Sequence, residues 1–398
     1  MQDLRESTTS APVGLGTKLK RLALAGGGTG GHLVPGLHLL RAAAARGEAP
    51  DQVLWFTSGR AVENEVLADL SEVMPGVPIE ICRLPLEGAR GGAPSQSGLL
   101  MRTPRAVLKA RKALRRHGSQ ALLGLGGFTA LPSVVAARSL RIPVGLYEVN
   151  AVPGKATRKL GSMASAVFHA WPTSVPKRGA SKHHVIGPVV GPQFQNPGSD
   201  GARARAREAL GFDGHLPLLV ILGGSQGAGA LNGFMAQHVD ELLAGGWQVL
   251  HQVGPGKLDQ AARPMGPASG HYQAREYLCE MHKVLAAADF ILGRGGASTL
   301  AEIAVVGVPT WVVPYPHHSD GHQAHNARSL GSGVQIVPQE TLDGSLAGRL
   351  ARLAVDSRAL AGMRQSLTGF NSSGADELWS GLRASLPQEL GHRPRSTG

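Results

Sequence analysis

Three glycine-rich turns carry the chemistry that can be read first. The run GGGTGGH sets Gly26, Gly28 and Gly31 in a G-x-G-x-x-G spacing, with Thr29 and Gly30 between and His32 directly after. Residues without a Cβ let the main chain close on a ligand, and the free N–H groups at the start of a helix stabilise an anion. GGSQGA at Gly223 to Ala228 repeats the device with Ser225 and Gln226 as extra donors. Arg294-Gly295-Gly296-Ala297-Ser298-Thr299 offers it a third time, with Glu302 one turn further on. Each turn alone also fits an ordinary strand-to-helix connection, and a lone Glu in a first helical turn also fits dipole compensation. Two such turns on matching halves favour a diphosphate ligand.

A nicotinamide dinucleotide site wants an acid where the second strand ends, and that strand runs out in Phe56-Thr57-Ser58-Gly59-Arg60. NAD is disfavoured, and only Arg60 leaves NADP open. His32 stands where an imidazole can take a proton near neutral pH, or can simply pack as a capping residue. The run from His317 to His325 matches no established zinc spacing, and no Asp-x-Asp pair exists to hold a metal-bound diphosphate. The expectation is a site with no metal and no cofactor.

These turns need strands before them and helices behind. RLALA runs into the first turn, and VPGLHLLRAAAARG follows with Val34, Leu37 and Leu40 at helical spacing. Apolar runs of strand length recur at QVLWFTS, QALLGLGG, PVGLYEVN, AVFHAW and HHVIG, alternating with helical patterns. From Gly187 the chain turns proline-rich, and LPLLVILGG then restarts the same scheme, continuing with WQVLHQVG, DFILGRGG, TWVVPYP and VQIVP. Helical segments are expected around Met281 to Ala288 and Leu300 to Val306, and again from Leu342 to about Leu386. Alternation of this kind predicts an α/β protein with two parallel sheets, each covered on both faces.

With 398 residues the chain exceeds one comfortable core. The expected division is a polar extension over 1–18, a first domain over 19–188, a hinge over 189–212, a second domain over 213–365, and a C-terminal helix and tail over 366–398. At 42% apolar and 17% charged residues, the composition is globular. Cys82 and Cys279 form neither a disulfide framework nor a redox pair. The first twenty residues lack a signal-peptide core, and no apolar run reaches the ~18 residues that span a bilayer, so a cytoplasmic location is expected.

The formal charge is +12, and residues 1–170 hold 21 Lys and Arg against 11 Asp and Glu. No acid occurs between Gly88 and Tyr147. In that stretch Leu99, Leu100 and Met101 precede Arg102, Arg105, Lys109, Arg111, Lys112, Arg115 and Arg116. Such a segment suits an anionic lipid surface, with each cation near the headgroups worth about 1 kcal/mol, and equally suits a solvated helix face. It lacks the stacking aromatics of a nucleic-acid site, so no nucleic acid is expected.

Taken in order and separation, AGGGTGGHLVPGL, GLGGFTALP, LGGSQGAGALN, GRGGASTLAEIAVVGVP and PHHSDGHQAHNA strongly resemble the MurG family, UDP-N-acetylglucosamine:N-acetylmuramyl-(pentapeptide) pyrophosphoryl-undecaprenol N-acetylglucosamine transferases. The resemblance covers about residues 20 to 383. It implies a GT-B fold, two Rossmann-like domains facing across a cleft, and an inverting, metal-independent hexosyltransferase of peptidoglycan synthesis, and so of cell wall, shape and division. The donor would be UDP-GlcNAc and the acceptor the 4-hydroxyl of an undecaprenyl-diphosphate-linked muramyl-pentapeptide. The enzyme would sit peripherally at the cytoplasmic face of the bacterial inner membrane.

By matching motif, the resemblance implies that Glu302 holds the ribose. Ala297, Ser298 and Thr299 with Ser225 and Gln226 would serve the donor diphosphate, Arg294 supporting its charge. Tyr277 and Leu278 would read the uracil, and Gln323, His322 and Asn150 would touch the sugar. Gly28 to Gly31 with Gly126, Gly127 and Phe128 would face the acceptor diphosphate. His32 becomes the candidate base, with Glu148 second, and Leu99, Leu100, Met101, Arg102, Arg105 and Lys109 the membrane face. Three departures stand out. Tyr147-Glu148-Val149-Asn150 replaces His-Glu-Gln-Asn, Gly187-Pro188-Val189-Val190-Gly191 replaces Gly-Asn-Pro-Val-Arg, and Gly295 replaces a common Ser. A UDP-N-acetylglucosamine 2-epimerase and an inactive UDP-sugar- or lipid-binding homologue are the competing readings.

Overall fold

The computed structural model of the chain describes residues 18–28, 30–68, 70–86, 96–316, 320–370 and 373–386. Two parallel sheets form its frame. The first holds β1 (Arg21–Ala25), β2 (Gln52–Thr57), β3 (Ile79–Arg83), β4 (Ala121–Gly124), β5 (Val144–Glu148), β6 (Ala166–His169) and β7 (His183–Val185), in the order β3-β2-β1-β4-β5-β6-β7. The second holds β8 (Leu218–Leu222), β9 (Gln248–Gln252), β10 (Tyr272–Arg275), β11 (Phe290–Gly293), β12 (Thr310–Val312) and β13 (Val334–Ile336), in the order β10-β9-β8-β11-β12-β13. The strand order reverses between β1 and β4 in one sheet and between β8 and β11 in the other. In open sheets of this kind ligands lie beyond the carboxyl ends of the strands at that reversal, and all three glycine turns start there.

Central strands are buried on both faces, which is why RLALA and LLVIL read as unbroken apolar runs. Two strands escaped the sequence reading, β3 and β10. Both are edge strands whose side chains are mostly half-exposed or exposed, so their apolar signal is weak. The expected helices form at Met281–Ala287 and Ala297–Val306, and the C-terminal stretch folds as Gly344–Leu353, Ser357–Ser366 and Ser373–Ala384.

The helix Ser373–Ala384 lies against the first domain: Leu378, Trp379 and Leu382 are buried, Arg46 reaches Asp376 at 3.3 Å, and Arg383 donates to Glu48 at 2.9 Å. Within the connecting segment, the helix Asp200–Ala209 belongs by its contacts to the second sheet. Arg207 binds Asp289 at 2.6 Å, and the same Asp289 oxygen accepts from the Leu218 N–H at the start of β8. One continuous buried apolar cluster runs from Trp55 and Leu123 through Val189, Val190 and Phe194 to Leu300 and Ala304, so the two halves share core across the connecting segment.

The basic segment forms the helix Gln96–His117. Ala106, Ala110, Ala113 and Leu114 face inward, while Met101 is 81% and Leu108 66% exposed beside exposed Arg105 and Lys109. Arg102 and Leu99 are half-buried; the Leu100 side chain lies outside the description. Among the described residues no helix is long and apolar enough to cross a membrane.

Candidate active site

His32 ends the short turn Gly30–His32 that leaves β1, and its imidazole rests on the turn after β4. A Cβ on Gly126 would come within 2.9 Å of His32 Cδ2, and one on Gly127 within 2.4 Å of the Gly27 carbonyl oxygen. Gly127 also holds φ +72°, so the close approach and the backbone both require glycine there. Desolvation between the two turns lowers the His32 pKa from its ordinary 6.5; the Glu148 charge and a hydrogen bond to the Gly27 backbone act in the opposite direction. The balance favours a neutral imidazole, which is what a general base requires.

Glu148 is the weaker candidate on geometry. It is buried at the end of β5, where Oε1 accepts from Asn150 N at 3.0 Å and Asn150 Nδ2 at 2.9 Å, and Oε2 accepts from Gly154 N at 2.8 Å. A carboxylate so engaged orients its neighbours and supplies charge. Tyr147, where the family has His, is buried and accepts from Val189 N–H at 2.9 Å, so it braces the connecting segment. Burial drives its pKa well above the ordinary range.

A residue absent from the sequence expectations organises the first glycine turn. Glu63 is 1% exposed and accepts five hydrogen bonds: Gly28 N at 2.6 Å, Ser58 N at 3.1 Å and Ser58 Oγ at 2.6 Å on one oxygen, Gly59 N at 2.6 Å and Arg60 N at 3.1 Å on the other. Near the start of the helix Ala61–Leu67, it reaches back to cap the preceding N–H groups, and S-G-R-A-V-E was a readable signal for this. The Gly28 N–H is thereby committed to Glu63. The ring of Phe128 fills the space beside Gly28, where a Cβ would meet it at 2.5 Å, and Arg60 lies over that ring while donating to the Gly28 carbonyl at 2.7 Å. Of this group Gly31 is exposed, and Thr29 falls outside the described residues.

Across the cleft, the helix Ala297–Val306 points its N-terminus at the His32 turn, and Ser298 Oγ donates to the Gly31 carbonyl at 3.0 Å. Ser225, Ala297, Thr299 and Tyr277 are half-buried, Gln226 is exposed and Leu278 is buried. Arg294 is engaged by the protein itself. Its guanidinium donates to the Val313 and Pro314 carbonyls at 2.9 and 3.1 Å and to Gln339 Oε1 at 2.7 Å, under the Tyr315 ring, so it ties β11 to the turn after β12. Gln323 Oε1 accepts from Tyr315 N at 2.9 Å and Gly295 N at 3.3 Å, while its amide NH2 makes no hydrogen bond among the described residues. His322 pairs with Asp320 at 3.5 Å. A Cβ on Gly295 would lie 2.6 Å from the Gln323 carbonyl, so the family's Ser does not fit this backbone.

Asn326, also missed, joins the halves. It is 2% exposed; its Oδ1 accepts from Ala151 N at 2.9 Å and its Nδ2 donates to Asn150 Oδ1 at 3.2 Å. Its only sequence signal was a polar side chain on the inner face of a helix. Glu302 is buried as well, with Oε1 at 2.9 Å from His38 Nε2 of the first domain. Among the described residues no group of three His, Cys, Asp or Glu is placed to hold a metal ion, and His317 and His318 lie outside them.

Comparison with known proteins agrees with this architecture. The Glycosyltransferase family 28 N-terminal domain matches residues 22–169, and the Glycosyltransferase family 28 C-terminal domain matches residues 218–377. A curated transferase of Halorhodospira halophila is 33% identical over 356 residues, covering 88% of this chain and 94% of its own. The crystal structure of Acinetobacter baumannii MurG superposes with a TM-score of 0.64 at 25% identity, over 92% of this chain and 99% of that one. A Listeria monocytogenes protein assigned as a UDP-N-acetylglucosamine 2-epimerase superposes equally well, TM-score 0.65 over 92% of this chain and 96% of that one, but at 14% identity it shares the fold alone. With the two Rossmann-like domains of a GT-B fold, both halves matched and a third of the aligned residues shared with the curated transferase, this chain belongs to glycosyltransferase family 28 and within it to the MurG family.

Proposed function

We propose that the chain moves N-acetylglucosamine from UDP-GlcNAc to the 4-hydroxyl of a lipid-linked muramyl-pentapeptide, with inversion, in peptidoglycan synthesis. The observation that carries this reading is His32: an imidazole kept below its ordinary pKa, set between two glycine turns and opposite the N-terminus of the helix Ala297–Val306. The acceptor hydroxyl loses its proton to His32 as it attacks the anomeric carbon from the face opposite UDP. The nearby Glu148 carboxylate favours the imidazolium that forms. Charge growing on the leaving diphosphate falls to the Ala297, Ser298 and Thr299 N–H groups and to Ser225 and Gln226, so no metal ion enters the scheme.

In the same reading Glu302 takes the ribose hydroxyls, Tyr277 and Leu278 border the uracil, and the Gln323 amide with His322 and Asn150 meets the sugar. Arg294 acts through the turn it braces. The acceptor diphosphate lies against Gly30, Gly31, Gly126, Gly127 and Phe128, with Gly28 shaping the turn rather than donating. The hinge lies in the part of residues 189–212 that precedes the helix Asp200–Ala209, since that helix is fastened to the second sheet.

The outward face of the helix Gln96–His117, with Met101, Arg105, Leu108 and Lys109, rests on the anionic inner surface of the plasma membrane. Met101 and Leu108 supply apolar area while the cations meet lipid phosphates. Co-sedimentation with phosphatidylglycerol vesicles tests this. Arg105→Gln with Lys109→Gln is expected to weaken the partition by about thirtyfold, at about 1 kcal/mol for each cation; unchanged partition removes the assignment.

The function itself is tested by transfer of radiolabelled N-acetylglucosamine to a lipid-linked muramyl-pentapeptide analogue, with chelator present and UDP-glucose as control donor. Selective, chelator-resistant transfer is expected. Bound UDP without transfer would make the chain an inactive homologue.

A further inference from the structure

The Glu302 carboxylate is held from the opposite domain. His38 stands on the helix Val34–Ala45, and its Nε2 lies 2.9 Å from Glu302 Oε1, although 264 positions separate the two residues. Both side chains are buried, His38 at 3% and Glu302 at 6%. A carboxylate only accepts, so Nε2 carries the hydrogen. Phe194, from the segment joining the domains, meets the His38 ring edge-on at 5.1 Å and in turn meets His282 at 6.0 Å. His38 Nδ1 is buried without a partner among the described residues, so the contact to Glu302 is this ring's polar role. A buried polar group is tolerated when its hydrogen bond is good, and a bond to a charged acceptor is among the stronger ones.

We propose that His38 is a positioning residue for the nucleotide site. It fixes one oxygen of Glu302 from across the cleft, so that the second oxygen is presented to the vicinal hydroxyls of the nucleoside ribose. This rests on Glu302 being the ribose ligand. No hydrogen bond to Glu302 Oε2 is made among the described residues, which leaves that oxygen for the ligand. Fixing the carboxylate beforehand removes rotamer freedom that binding would otherwise have to remove. Because the donor N–H comes from the first domain, the affinity for the nucleotide depends on the two domains being together. Ser298 on Gly31 and Asn326 on Asn150 and Ala151 hold the same approach from neighbouring positions.

The test uses the full chain, with UDP affinity by calorimetry and steady-state constants for UDP-GlcNAc transfer to a lipid-linked acceptor. His38→Leu keeps the bulk and loses the donor; it is expected to weaken UDP binding and raise the donor KM about tenfold, the size of one hydrogen bond to a charged group, with acceptor KM and kcat little changed. His38→Gln, whose amide N–H reaches the same oxygen, is expected to restore donor binding. If the Leu variant does not fold, His38→Asn, the same amide one methylene short, replaces it. Wild-type UDP affinity in the Leu or Asn variant, alongside weakened binding in Glu302→Ala, overturns the positioning role alone. A Gln variant as impaired as the Leu variant also overturns it. Unaltered UDP affinity in Glu302→Ala removes the ribose assignment and this role with it.

Discussion

After β1 the glycine turn is closed from within. Glu63 takes the Gly28 N–H, Phe128 fills the adjoining space, and His32 is clamped over Gly126 and Gly127. After β8 the corresponding turn is packed from below, at Gly227 against Val253 and Gly254, but its polar side chains are not tied down. Gln226 is exposed, Ser225 is half-buried, and the Ser225 hydroxyl, like that of Thr299 in the helix after β11, makes no hydrogen bond among the described residues. The same strand-turn-helix unit has thus been used twice for different ends. Under the proposed function, one copy is a rigid seat for a proton acceptor, where a misplaced ring would cost rate, and the other keeps donors for the phosphate of the ligand.

The largest test of that contrast is His32→Ala, expected to lower kcat about a thousandfold with UDP affinity nearly intact, in the range general-base removal produces. A matching loss of UDP affinity would mean that the two turns form one site and the contrast fails. Glu63→Ala comes next. Removing a buried acceptor leaves four backbone N–H groups and one hydroxyl unpaired, and the chain is expected to lose about 3 kcal/mol of unfolding stability in denaturant titration, with kcat reduced and UDP binding spared.

Ser225→Ala should show the reverse pattern. UDP binding is expected to weaken about fivefold in calorimetry, while the thermal midpoint stays put, because an open donor contributes to the ligand rather than to the fold. The smallest effect concerns pH. Transfer needs neutral His32, so kcat is lost as pH falls through the His32 pKa, which lies below 6.5. Glu148 raises that pKa, so Glu148→Gln should lower it and carry the acid limb of the pH–rate profile to lower pH. A limb that moves up or stays would remove His32 as the base that the profile reports.

Much of the frame was legible because buried parallel strands announce themselves as apolar runs and glycine turns as fixed spacings. β3 and β10 were not legible: an edge strand with half-exposed side chains carries little apolar signal. Glu63 was legible, since an acid three residues past Arg60 at a helix start is a capping pattern. Arg294 shows a different limit. Its place in a motif suggested support of a phosphate charge, and only the structure adds that its guanidinium is engaged by the Val313 and Pro314 carbonyls and the Gln339 amide oxygen.

The sequence by itself determined two strand-turn-helix halves, the residues at the ends of their strands and a basic helix, because each is encoded by neighbours within a few turns of chain. Only the tertiary structure decided that His38 meets Glu302, that Asn326 meets Asn150, and that Gly28 donates to Glu63. Those partners lie 264, 176 and 35 positions apart, so they come together only once the sheets have formed and, for the first two, once the domains have closed on each other.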